Sequence, residues 1–335
     1  MSLAVQRLSR EFRSPVTTGL IAGVLALAIF GVVRGGTFIL VDSLVTGAIW
    51  ALVAAGLALT FGVMGVPNFA QGEFFMVGTL SGYLVYTALS GVQGRPYVPF
   101  VTILMALVVG FVLGALVDLA VFSQMRRRIR EGWVMNTFVV TVGISVVMIN
   151  AHQLIWGTDY KGIVAYFDGP PIHVLGVSVA LDRVFAISVA AVSIAGLWWL
   201  LSYSRIGRAI RAVSQDEPGA LMVGINVGRM RTLTFAISSG LAALAGATLL
   251  FQFPSFPFVG VKPLYVAWTV VILAGLGNVG GAVVAGFIIA LLEANTGFFI
   301  GSAWEDVVPF ALIVLILAVR PTGLFGRAVR SVWEQ

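Results

Sequence analysis

The sequence predicts an all-α fold, a polytopic membrane helical bundle, and three observations carry that reading. Of 335 residues, 59% are apolar and only 10% are charged, whereas an ordinary soluble domain carries about 25% charged and about 45–50% apolar residues. Mean hydropathy is +1.02. The apolar residues are numerous enough for roughly ten spans of about 20 residues each. Lys and Arg gather in short stretches between the apolar runs, where positive-inside sorting places them. A soluble globular enzyme is excluded on composition. An outer-membrane barrel is excluded by unbroken runs such as Ala311–Val319, because barrel strands alternate polar and apolar residues. The net charge of +6 therefore reflects loop arginines and gives no reason to expect nucleic acid. With no Cys and only His152 and His173, disulfides, thiolate chemistry and a His/Cys metal cluster are excluded.

The apolar segments fall at about 16–33, 38–61, 74–90, 98–122, 134–156, 184–201, 232–252, 264–277, 282–300 and 306–319. Each is bounded by Gly, Pro or charge. The first follows Arg7, Arg10 and Arg13 as a secretory signal would, but no small-x-small cleavage site follows Val33, so an uncleaved helix is expected. Fifteen of the twenty basic residues lie in the groups 7–13, 126–130, 205–211, 229–231 and 320–330. With those groups in the cytoplasm, both termini are cytoplasmic, provided that 264–300 breaks at Gly275–Gly281. One of the two resulting pieces is short enough to be a re-entrant or broken helix, which membranes tolerate only where backbone is buried or lines a cavity. The division is a cytoplasmic segment 1–15, a transmembrane domain 16–320 and a cytoplasmic tail 321–335. Within the domain lie a cytoplasmic loop 202–231 and an external loop 157–183. The alternation in 172–174 and 177–181 predicts a small hairpin in the external loop.

In the loop 202–231, Asp216 is a good N-cap, Pro218 fits the first turn, and Gly224 suits the position after the last turn. A helix of about two turns is expected there. It is either an interfacial helix resting on lipid or a docking helix that passes force from a cytoplasmic partner. Arg205, Arg208 and Arg211 make the start of the loop basic, and lipid headgroups explain them most simply. Pro67 ends the span before it, and Asn68, Gln71 and Glu73 then set donors and acceptors beside freed backbone. Either a tight intracellular turn or a broken-helix lining of a transport path satisfies that pattern. Gly275-x-Gly277-x-x-Gly280 matches a dinucleotide fingerprint only in spelling, because apolar helix-length runs flank it where a βαβ unit is required. A tight turn is expected, with Asn278 able to serve a gate. The acids Asp42, Asp118, Glu293 and Asp306 lie near apolar segments, where an ion costs at least about 2.5–3.5 kcal/mol at mid-bilayer. Helix capping or interhelical hydrogen bonding is the expected role, with Asp118 two turns before Arg126 and Asp306 capping its own helix. Gly110–Gly114 and Ala242–Gly246 are small-xxx-small pairs that mark close packing, within the chain or between subunits.

Four motifs in order resemble the branched-chain amino acid ABC transporter permeases. They are Gly-Leu-Ala-Leu-Thr-Phe-Gly-Val-Met-Gly-Val-Pro-Asn-Phe-Ala-Gln-Gly-Glu at 56–73, Tyr203–Ala212 with Glu217–Val227, Leu273-Ala-Gly-Leu-Gly-Asn-Val-Gly-Gly-Ala, and Leu317-Ala-Val-Arg-Pro-Thr-Gly-Leu-Phe-Gly. The chain departs from the family at Gln71, where familiar members carry His, and in a longer segment 1–36. The resemblance implies import of branched-chain or other hydrophobic amino acids, or of urea and short amides. It implies an ATPase-contacting helix of Asp216, Glu217, Ala220, Leu221, Met222 and Gly224. It also implies ATPase subunits holding ATP and Mg, an external binding protein, a second permease or a second copy of this chain, and a bacterial inner-membrane location. The chain's lysines follow Tyr160 and Val261, so it has no Walker A sequence, and no cofactor of its own is expected. Bulky charged residues at Ala220 and Gly224 are expected to spare the fold and abolish transport. A self-sufficient channel or secondary transporter, with breaks at Pro67 and 275–281, is the competing reading. A membrane-embedded enzyme lacks an acid–base, metal or nucleophile cluster.

Overall fold

The computed structural model describes residues 33–89, 96–128, 133–167, 169–174 and 177–326, with scattered positions between 23 and 31. Most of the segment 16–33, the segment 1–15 and the basic residues Arg95, Arg327 and Arg330 lie outside the described residues. The described chain is helical apart from one short hairpin. In order it forms α1 (Thr37–Met64), α2 (Gln71–Ala88), α3 (Val98–Val117), α4 (Trp133–Trp156), β1 (Ile172–Val174), β2 (Val177–Val179) and α5 (Leu181–Tyr203). Two short helices follow, α6 (Arg205–Gln215) and α7 (Glu217–Met222), then α8 (Val227–Thr248), α9 (Val261–Ala274), α10 (Val279–Phe299) and α11 (Val307–Val319). Nine of the ten expected apolar segments are helices here. Five helices are long and apolar enough to cross a membrane by length and composition: Thr37–Met64, Val98–Arg128, Met135–Trp156, Leu181–Tyr203 and Val279–Phe299. The chain is a multi-pass membrane protein.

α1 is the axle of the bundle, with 83% of its most apolar stretch buried. α10 lies antiparallel on it: Gly62 meets Gly277, Ala51 meets Gly286, and Gly47 meets Phe287 and Ala290. A second seam runs along α8. A Cβ placed on Gly78 of α2 would fall 1.9 Å from the Ala243 carbonyl oxygen, and one on Gly246 would fall 2.2 Å from that of Phe75. From the other side, Gly110 and Gly114 of α3 pack on Ser239 and Ala243. Both small-xxx-small pairs therefore act within the chain. Between lipid-soluble helices the gain comes from close van der Waals contact, which only small residues permit.

α3 runs on to Arg128 through a π-helical turn at Asp118–Phe122. Eight residues of regular α-helix turn about 800°, leaving positions i and i+8 about 80° apart. The extra residue held in a π turn removes about one 100° step. Asp118 and Arg126 thus return to one face, and both guanidinium nitrogens donate to the carboxylate at 2.9 Å. Thr232 of α8 adds a 2.6 Å bond to the same group, pinning α3 to α8. This end of the molecule, where Arg126–Arg128, Arg205–Arg211 and Arg229–Arg231 gather, is called the basic end below.

The opposite end carries the expected hairpin, antiparallel, with Ile172 opposite Val179. Its second strand stops at Val179 because α5 starts at Leu181. Asp182 receives the backbone N–H of Tyr166 at 2.8 Å and that of Phe167 at 3.2 Å, and the Tyr166 hydroxyl donates to the Ala247 carbonyl at 2.6 Å. These bonds tie the long connection to the helix ends beneath it. Asp306 does not cap α11: its carboxylate accepts from the Tyr265 hydroxyl at 2.8 Å instead. A neighbour on another helix outcompetes the local role that spacing indicated.

Candidate functional site: a buried helix break and an exposed short helix

The break at 65–70 is not a surface turn. Val66, Asn68, Ala70 and Gln71 are all buried. α1 ends at Met64, yet the Gln71 amide nitrogen lies 3.2 Å from where Gly56 would carry a Cβ. Eight helical residues, about 12 Å, separate Gly56 from the end of α1, so the Gln71 side chain reaches well back alongside α1. Gly65, with φ of 67°, makes the turn, a left-handed conformation that glycine adopts without a Cβ clash. Asn68 accepts from the Ala70 N–H at 3.1 Å and donates to the Gln71 side-chain oxygen at 3.2 Å. It shapes the loop locally, while α2 itself has no side-chain cap.

Gln71 joins the break to α8. Its amide donates to the Ser238 carbonyl at 3.4 Å, and the Ser238 hydroxyl donates back at 3.2 Å. On α4, Ser145 donates to one oxygen of Glu73 at 2.6 Å, while the other oxygen is buried without a hydrogen bond. Phe69 stacks on Trp268 of α9 at 5.2 Å and meets Phe138 of α4 edge-on at 5.0 Å. Asn68, Gln71 and Glu73 are thus brought together with α4, α8 and α9 around one irregular backbone segment.

α9 is the second interrupted element. Fourteen residues span about 21 Å, against about 31 Å for the 21 residues of α10. The start of α9 lies inside the bundle, where the Gly260 and Gly72 backbones touch so closely that neither tolerates a Cβ. Two helix N-termini, those of α2 and α9, therefore meet in the interior. The connection 249–260 is the one that enters the bundle. The glycine-rich turn 275–278 stays at the basic end and serves a different purpose. Gly275 and Gly277 take positive φ, Asn278 caps α10 through Gly281 N–H at 2.9 Å, and its amide donates to the Phe325 carbonyl at 3.0 Å. The C-terminal motif docks here through Leu324 N–H to Leu273 and Phe325 N–H to Ala274. Among the described residues, Asn278 makes no hydrogen bond with Asn68, Gln71 or Glu73.

At the basic end the loop 202–231 forms two helices where one was expected. α6 was hidden by its charges: Gly207, Ile210 and Val213 are its buried face, three apolar positions among arginines. Ser204 caps it by accepting from Gly207 N–H at 2.8 Å. Arg208 and Arg211 donate to the carbonyls of Tyr203 and Ser202, at 2.9 and 3.3 Å, satisfying acceptors at the end of α5. Arg205 is exposed.

α7 is built as its sequence indicates. Asp216 accepts from Gly219 N–H at 3.1 Å. At the other end Ile225 N–H reaches the Ala220 carbonyl and Gly224 N–H that of Leu221, both at 3.0 Å, a Schellman pair with Gly224 at φ 80°. Glu217 is held by Arg231 at 2.5 Å. Ala220, 3% exposed, seats the helix, whereas Leu221, Met222 and Val223 are 57, 88 and 75% exposed. A charge at Ala220 would disturb the fold itself, so that position does not test docking cleanly. Val223 is the residue that the motif reading left out. Beside this apolar knob lies a groove of about 650 Å³, lined by Arg126, Arg127, Arg229 and Arg231 with Glu217 and Leu221.

Residues 39–317 match the family described as branched-chain amino acid transport system / permease component. The chain is 31% identical over 294 residues to the high-affinity branched-chain amino acid transport system permease protein LivH of Escherichia coli (strain K12), covering 84% of this chain and 92% of that one. It is 30% identical over 295 residues to BraD of Pseudomonas aeruginosa, similarly described, covering 86% and 95%. A more distant relative, at 24% over 325 residues and covering 82% and 90%, is the probable branched-chain amino acid transport permease protein LivM of Methanocaldococcus jannaschii. No solved structure matches the chain. With the family matched over most of its length, the chain belongs to the permease components of branched-chain amino acid transport systems.

Proposed function

We propose that this chain is the membrane subunit of an ATP-driven importer of branched-chain or other hydrophobic amino acids in a bacterial inner membrane. The observation that carries the reading is α7, a helix too short to stand alone yet capped at both ends, ion-paired through Glu217 and presenting three apolar side chains outward. Such a knob beside an arginine groove suits a partner surface. The chain carries no Walker A sequence, and in this reading ATP and Mg are bound by that partner. Relatives named as permease proteins of amino acid transport systems support the substrate class.

The basic end is cytoplasmic by the positive-inside effect. Adding the segment 16–33 to the nine described apolar helices gives ten segments with both termini on that side, α9 being a broken one that completes its crossing together with the connection 249–260. Closure of the ATPases pushes α7, and α6 and α8 pass the motion to the break at 65–70, where Gln71 and Ser238 are joined. A binding protein delivers substrate to the opposite end, over the connection 157–183. A second, related permease completes the path, in line with the LivM-type relative. Purification of the tagged chain from its native membrane, followed by mass spectrometry, should recover a Walker-containing ATPase and a second permease. Leu221→Asp with Met222→Asp should keep the folded chain and remove both ATPase recovery and uptake. Unchanged uptake by that variant would sink the docking role.

A further inference from the structure

At the end opposite α7, α1 and α10 diverge around a cavity of about 290 Å³, near the lower limit for small-molecule pockets of about 300–1,000 Å³. Its walls join two chemistries. Asp42, Glu293 and Glu305 are acidic, while Phe38, Ile39 and Phe298 are apolar. Glu293 is the decisive group. It is 3% exposed yet lines the cavity, and Trp50 Nε1 donates to one of its oxygens at 2.8 Å. The other oxygen has no hydrogen-bond or ion-pair partner among the described residues. The nearby cations are committed elsewhere: Arg183 to Asp42 at 2.8 Å, and Lys262 to Glu305 at 3.0 Å and Asp306 at 3.2 Å. Among the described residues two cations thus face four carboxylates, Asp42, Glu293, Glu305 and Asp306, and the surplus includes the most deeply buried of the four. The free oxygen is not shut off from the cavity space, and a positive charge with N–H donors is the partner that suits a carboxylate there.

We infer that this cavity binds a small solute through a primary ammonium group, set against Glu293 and Glu305, with an apolar branch lying on Phe38, Ile39 and Phe298. The inference rests on the import reading for its physiological solute, an amino acid arriving at the outer face, and not for the binding itself. The cavity is far larger than a bare metal ion needs, and its apolar wall offers such an ion nothing.

The test uses the full chain in lipid nanodiscs, with dicyclohexylcarbodiimide as a carboxyl-directed label and peptide mass spectrometry as the readout. L-Leucine and 3-methylbutylamine should slow labelling of Glu293 several-fold, and 4-methylpentanoate, which keeps the branch but lacks the amine, should not. Protection by none of the three, by all three equally, or equally by sodium or potassium chloride, overturns the inference. Glu293→Gln, which keeps an acceptor for Trp50, should leave the folded chain intact, abolish amine protection of Glu305 labelling, and raise the KM of uptake in the assembled importer. An unaltered KM would remove the site from the transport path. The Leu221→Asp, Met222→Asp variant separates the two readings. Amine protection that survives while no wild-type uptake depends on ATP would retain the cavity and sink the importer. Uptake that depends on α7 in a chain whose Glu293 no amine protects would do the reverse.

Discussion

α1 and α4 are of similar length and hydropathy, and both qualify as membrane spans, yet 83% of the apolar stretch of α1 is buried and only 11% of that of α4. Their glycines explain the difference. On α1, a Cβ added at Gly47, Gly56 or Gly62 would meet a neighbouring segment at 2.7–3.1 Å, tighter than ordinary contact, whereas Gly143 on α4 has nothing within 4 Å. The outward positions of α4 are Val139, Val147, Leu154 and Ile155. The face it turns inward is polar, with Thr141 donating into its own helix and accepting from Phe69 N–H, Ser145 on Glu73 and a buried His152. In lipid, hydropathy makes a helix soluble in the bilayer without saying what it touches. Small residues and polar ones decide which helices meet.

The largest effect that would test this contrast is on the polar side. Asp118→Ala removes the carboxylate that holds Arg126 and Thr232, taking from a nearly buried guanidinium its bidentate partner. It should cost about 3–5 kcal/mol, read as a fall in the thermal midpoint of the purified chain. A loss below about 1 kcal/mol would class the pair with exposed ion pairs and separate it from the α3–α8 seam. Gly78→Ala should come next, because the added carbon meets backbone and not a movable side chain. Overpacking of that kind costs about 1–3 kcal/mol, and the same melts would detect it. Gly143→Ala is the smallest change and has the opposite sign. Where a helix glycine faces open space, alanine should stabilise by about 0.5–1 kcal/mol. If Gly143→Ala also destabilised the assembled importer but not the isolated chain, α4 would be a face that another subunit covers.

Features legible in the sequence share one property, that their determinants are local. Asp216 and Gly224 bracket α7 within nine positions, the alternation at 172–179 gives the hairpin, and Gly275–Asn278 gives a turn before a capped helix. Features that were hidden depend on partners far along the chain. Gln71 and Ser238 are 167 positions apart, and Trp50 and Glu293 are 243 apart. α6 was masked because three arginines lower the hydropathy of a helix whose buried face is only Gly207, Ile210 and Val213. The sequence offers the turn 275–281 as a counterpart of the Pro67 break, since the two interruptions lie in comparable positions of the two halves. The segment that enters the bundle is instead 249–260, which rests on the Gly72–Gly260 approach and on the pairing of Ser255 with Lys161, both between residues far apart in the chain.

By itself, the sequence determined that this protein lives in a bilayer, which ends of its helices are basic, and where the short exposed helix starts and stops. Composition and nearest-neighbour capping act on residues within a few turns of each other, so they can be read along the chain. Only the tertiary structure decided that α1 is central and α4 peripheral, that the 65–70 break turns back into the bundle, and that Glu293 stands at a cavity with one oxygen free. Those outcomes depend on which helices approach closely enough for backbone to touch backbone. In a membrane that choice is made by shape and by a few buried polar bonds, between residues with no proximity in the sequence.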